Sequence, residues 1–86
     1  METIETKYPK VWAHYQKYGA YKCARAVVNE RLIRVCGIGW SDLPDTSELA
    51  CVVEEVAEAL ESNDCGMFTE ACQQVNAEFV KELIYH

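Results

Sequence analysis

Apolar residues recur along this chain at intervals of three and four, the spacing of one face of an α-helix. Four such segments are separated by glycine, proline or short polar turns. The first runs from about Tyr8 to Tyr18, with Pro9 suited to a first helical turn. Tyr8, Val11, Trp12, Tyr15 and Tyr18 share one arc of its helical wheel, and Lys10, His14 and Lys17 share another. The second runs from about Ala20 to Val35, with Ala20, Ala24, Val27, Val28, Leu32 and Val35 on its apolar arc. In one unbroken helix these two arcs would point about half a turn apart. A break near Gly19 aims both at a single core; one long helix with partners on two sides is the alternative.

Gly37 is placed to end the second segment as a left-handed residue, with Ile38 closing over it. Gly39 to Pro44 then reads as a loop. The third segment, from about Asp45 to Glu61, has the cleanest amphipathic pattern. Leu49, Val52, Val53, Val56, Ala59 and Leu60 lie on one arc, and Glu54, Glu55, Glu58 and Glu61 on the opposite one. Asp45 and Glu48 have the spacing of a capping box, with Thr46 as a competing cap. Ser62-Asn63-Asp64 forms a polar turn, and Asp64 is suited to cap the helix after it.

The fourth segment spans about Cys65 to Tyr85, with Phe68, Ala71, Cys72, Val75, Phe79 and Leu83 on one stripe. Val80 and Ile84 fall off that stripe, which predicts that the C-terminal end touches a second neighbour or another subunit. The short third-to-fourth connection predicts an antiparallel C-terminal helical hairpin. No segment alternates strictly enough for a confident strand, and Arg31 to Ile38 is the best candidate for a short one. The expected fold is all-α, a single domain built as a bundle of three to four helices.

The chain has 86 residues, 50% of them hydrophobic and 26% charged. That balance excludes a disordered chain, and no stretch reaches the roughly 18 apolar residues of a membrane-spanning helix. The apolar share is generous for this length, so a homodimer or a partner interface is an alternative to a plain monomer. Cys23, Cys36, Cys51, Cys65 and Cys72 make an odd count, and the first ten residues carry no secretory pattern. A reducing cytoplasm is the expected compartment, with the thiols acting as small hydrophobes. Neither a prenylation signal in Leu83 to His86 nor a myristoylation site at Glu2 is present.

Charge divides the chain. Residues 1–40 hold seven Lys/Arg and three acids; residues 41–86 hold Lys81 alone against eleven acids, for a total of −6. The third segment contains no Lys or Arg, although such partners at i,i+4 would relieve repulsion among its glutamates. Carboxylates at i, i+4 and i+7 stand in a row about 6 Å apart. That row is either the solvated face of an amphipathic helix or a surface that presents charge to a basic groove.

Motifs for chemistry are largely missing. No pair of cysteines has Cys-x-x-Cys spacing, and Cys65 with Cys72 supplies only two potential zinc ligands. Gly37-Ile38-Gly39 has no strand before it and no Lys-Ser/Thr after it. No serine sits in a Gly-x-Ser-x-Gly elbow, and His14 with Cys23 could form a nucleophile pair only through special folding. No catalytic residue, metal site or cofactor is expected. The resemblance of Tyr15 to Val28 to a helix-turn-helix fails where packing is most demanding, at Tyr15 and Arg25. Five of the nine aromatics fall between Tyr8 and Tyr21, suited to core or interface, and Trp40 is either a lid or an exposed anchor.

The expected function is therefore a non-catalytic interaction protein. Glu54, Glu55, Glu58, Glu61, Glu70 and Glu78 would dock on a basic surface of another protein, one that could itself bind nucleic acid. In size and charge the chain resembles the small acidic inhibitors that phages direct against restriction or CRISPR enzymes, although no motif carries that resemblance. Direct nucleic-acid binding and membrane association are not expected. The alternative is a small nucleic-acid-binding regulator using Lys17, Lys22, Arg25 and Arg31.

Overall fold

The computed structural model describes residues 2–43 and 46–85, and the helices account for most of them. α1 covers Ile4–Lys7, α2 Pro9–Tyr18, α3 Ala20–Cys36, α4 Ser47–Ser62, α5 Cys65–Gln73 and α6 Ala77–Tyr85. A 3-10 turn, Trp40–Asp42, lies between α3 and α4. No strand occurs among the described residues, and the strand candidate Arg31 to Ile38 instead completes α3 as far as Cys36.

Glycine sets both ends of α3 where the pattern placed them. Gly19 has φ 92° and ψ 168°, a conformation that side-chain-bearing residues rarely adopt, and it separates α2 from α3 so that the two pack together. Gly37 has φ 72° and donates its N–H to the Ile33 carbonyl at 2.8 Å, closing α3. Asp64 caps α5 by accepting the Met67 N–H at 3.1 Å. Thr46 occupies the N-cap position of α4 without a side-chain capping bond, and the Asp45 alternative lies outside the described residues.

α4 buries all six residues of its predicted apolar arc and packs against both α3 and α5. Ala24, Val28 and Leu32 of α3 and Phe68 and Ala71 of α5 complete the centre of one continuous apolar cluster. Each large aliphatic side chain removed from water there contributes about 1.5–3 kcal/mol. α2 differs in kind: it has no buried residue, and Val11, Trp12 and Tyr15 only half-cover the cluster.

Two features depart from the sequence pattern. The first is α1, a one-turn helix inside a segment that reads as polar. Thr3 and Thr6 cap it reciprocally, each hydroxyl accepting the other's backbone N–H. Asn63 holds it from a distance: its Oδ1 accepts the N–H of Ile4 at 3.0 Å and of Glu5 at 3.3 Å. Asn63 itself sits at φ 51°, the left-handed conformation that terminates α4. One side chain thus ties the N-terminal turn to the α4–α5 corner and lets Ile4 become fully buried.

The second is the division of the fourth segment. The C-terminal end of α5 tightens, with Gln74 N–H bonding the Ala71 carbonyl and Val75 N–H the Cys72 carbonyl. Asn76 then starts α6 by accepting the Phe79 N–H at 2.9 Å. The Val75 carbonyl receives Nε–H of Arg31 from α3 at 2.9 Å. The antiparallel hairpin is therefore α4 with α5, while α6 packs on α3, and its Val80 and Leu83 are buried. Val80 is buried in the same apolar cluster as the rest of the core; the side chain of Ile84 lies outside the described part of the chain.

Candidate functional site

The apolar arc of α4 faces α3 and α5, so the opposite arc has to face solvent. Glu54, Glu58 and Glu61 lie there, all exposed, with the exposed Cys51 one turn before Glu54 and Glu55. Glu54 and Glu58 are four residues apart and Glu58 and Glu61 three apart, the two spacings that make neighbours on a helix surface. The last turn of α4 contains no basic residue. Glu61 therefore stands against the negative end of the helix dipole, where a carboxylate is unfavourable.

None of these carboxylates forms an ion pair among the described residues. The two ion pairs found there, Lys7 with Glu2 and Arg34 with Glu30, both lie in the N-terminal half. The arginines of the first half thus leave the glutamates of α4 un-neutralised.

The six expected contact residues do not form one equivalent set. Glu54, Glu58 and Glu61 make a continuous ridge on α4. Glu55 is displaced toward the hairpin seam, where Oε2 accepts the Gln74 side-chain N–H. Glu70 is exposed on α5 one turn before Gln74, on the same side of that helix. Glu78 is exposed but belongs to the first turn of α6, the helix that packs on α3. The break at Gln74 to Asn76 places Glu78 on a different helix from Glu70.

The basic residues of the alternative reading are also dispersed. Arg31 is half-buried and fastens the α5–α6 turn through Val75. Lys17 lies over the Tyr18 ring at 5.2 Å on α2. Lys22 and Arg25 are exposed on α3.

Burial disfavours the thiolate at two of the cysteines, Cys23 and Cys72. Cys23 is fully buried, its S–H directed to the Val11 carbonyl at 3.5 Å, and burial pushes its pKa up. The contact it makes is with Val11, so no His14–Cys23 nucleophile pair is assembled. Burial pushes Cys72 up to about 11, against a smaller opposing influence of Arg31. No group of three or more His, Cys, Asp or Glu side chains suited to a metal ion occurs among the described residues. No helix among them is long and apolar enough to cross a membrane. No protein family, curated protein or solved structure matches the chain.

Sequence periodicity finds the α4 ridge but not the tertiary pairings around it. Asn63, Gln74 and Arg31 act on segments far along the chain, and nothing in their local pattern marks those partners.

Proposed function

We propose that this chain is a non-catalytic cytoplasmic interaction protein whose α4 ridge docks on a basic surface of another protein. Glu54, Glu58 and Glu61 form the centre of the contact, Glu55 and Glu70 flank it along the hairpin seam, and Glu78 is outside it. The observation that supports this reading is a row of exposed carboxylates, without ion pairs among the described residues, on a helix whose own stability they oppose. A face that served solubility alone would tolerate interleaved lysines, which stabilise a helix at i,i+4.

Electrostatic complementarity of this kind accelerates encounter and selects the partner more than it adds raw affinity. A basic surface that normally holds nucleic acid is well matched to such a ridge. Occupying it would make the chain an inhibitor, in the manner of the small acidic inhibitors of phages.

The test compares wild-type protein with a Glu54→Gln/Glu58→Gln/Glu61→Gln variant. Both are used to capture partners from host lysate, and affinity is then measured with the purified partner. The wild type should bind and the variant should fold but lose affinity, most clearly at low salt. Equal affinity of the two proteins would end the proposal.

A further inference from the structure

A second surface, on the opposite side of the charge division, has the chemistry of a ligand site and is independent of the α4 ridge. Tyr21, Lys22, Arg25, Ala26 and Asn29 occupy a continuous arc of α3, at spacings of one, three and four residues. The 3-10 turn Trp40–Asp42 closes over the same arc. Between them is an open cleft of about 480 Å3, lined by Lys22, Arg25, Ala26, Asn29, Gly39, Trp40 and Ser41. That volume is within the roughly 300–1,000 Å3 of small-ligand clefts.

The wall of this cleft is built rather than loose. Trp40 donates its backbone N–H to Asn29 Oδ1 at 2.9 Å, which fixes the turn against α3. Gly39 donates its N–H to Asp42 Oδ2 at 3.1 Å, which engages the acid nearest in the loop. The indole is half-buried against the core, and the Arg25 guanidinium lies over its ring at 5.2 Å. Neither Arg25 nor Lys22 has an ion-pair partner among the described residues.

We infer that this cleft binds a free nucleotide, the base lying against the Trp40–Arg25 pair and the phosphates meeting Lys22 and Arg25. The ligand must be anionic, because two unpaired cations on a chain of net charge −6 mark a local reversal of the prevailing field. It must also carry a flat ring. An indole and a guanidinium in contact form a planar cationic wall, and both stack on aromatic bases. The Ser41 hydroxyl supplies a further donor at the rim. One tryptophan and two cations match a single nucleotide, whereas a long strand would be opposed by the acidic remainder of the molecule.

The experiment is a two-dimensional amide NMR titration of the full chain, in which a Trp12→Phe variant assigns the indole N–H signal of Trp40. ATP should shift the Trp40 signal saturably, inorganic phosphate and adenosine should each do so only at far higher concentration, and a short oligothymidine should bind no more tightly than ATP. Arg25→Gln and Lys22→Gln, both at exposed positions, should each raise the ATP Kd about tenfold or more while leaving the rest of the spectrum in place. Absence of saturable shifts with millimolar ATP overturns the inference. So does binding that Arg25→Gln leaves unchanged, and so does an oligothymidine that binds much more tightly than ATP, which would make this a single-strand site. The Glu54, Glu58 and Glu61 glutamine variant should bind ATP at least as well as wild type, so failure here and failure of the docking proposal are read separately.

Discussion

Converting Glu54, Glu58 and Glu61 to glutamine should make the protein more stable. The substitution removes three like-charge neighbours on α4: Glu54 with Glu58, Glu58 with Glu61, and Glu55 with Glu58. Each such pair destabilises a helix by about 0.2–0.5 kcal/mol. Neutralising Glu61 in the last turn also relieves its opposition to the helix dipole, by about 0.3–1 kcal/mol. Glutamine and glutamate have nearly the same helix propensity, so no offsetting cost arises there. The sum is about 1–2.5 kcal/mol at low ionic strength, or a rise in Tm of roughly 4–20 °C for a domain of this size. Because the charges are exposed, most of the gain should vanish at high salt, where the screening length falls to about 3 Å. Urea denaturation followed by far-UV circular dichroism, at low and high salt, measures both effects. A variant less stable than wild type, or a gain unaffected by salt, would show that the ridge has stabilising partners within the fold and would remove the physical basis for assigning it to a partner.

Three further outcomes follow from individual contacts. Gly19→Ala should cost about 1–3 kcal/mol of unfolding free energy through backbone strain alone, since nothing lies within 4 Å of an added Cβ at φ 92°; an unchanged urea midpoint would refute the hinge geometry. Asn63→Ala should cost about 1.5–4 kcal/mol, combining lost capping of α1 with a left-handed alanine, whereas Asn63→Gly should cost only the capping part of about 0.5–2 kcal/mol. Equal losses in the two variants would contradict the dual role of Asn63. Iodoacetamide labelling at mildly alkaline pH, followed by mass spectrometry, should modify exposed Cys51 first and Cys72 slowly, because a thiol pushed up to about 11 by burial stays protonated until the pH approaches that value. Equal rates at Cys51 and Cys72 would contradict the burial of Cys72.

What the sequence makes legible is whatever one helix face decides by itself. The apolar arc of α4 is read correctly at every position because six aliphatic or small residues have only one side on which to bury. Gly19, Gly37 and Asp64 act within a few residues of themselves, so their roles follow from local chemistry. The misreadings arise where a side chain works across the fold. Ile4 looks solitary in a polar stretch until Asn63 caps the turn that carries it. The stripe from Cys65 to Leu83 continues across Gln74 to Asn76 as if unbroken, because Val75 is apolar and stays in register with the core. Two polar groups end the helix there: Asn76 offers a local cap, and Arg31, reaching over from α3, takes the Val75 carbonyl. The candidate site inherits the same division. The α4 ridge is visible in the pattern, while the placing of Glu78 on a separate helix and the meeting of Arg25 with Trp40 depend on tertiary geometry.

The most direct test of the docking claim is the association rate with the captured partner, measured by stopped flow across a range of ionic strength. Carboxylates that steer a basic partner should give wild type a fast rate at low salt that falls steeply as salt is added, and the Glu54, Glu58 and Glu61 glutamine variant should associate about tenfold or more slowly with a shallow salt dependence. Superimposable salt profiles for the two proteins would mean that the ridge takes no part in recognition.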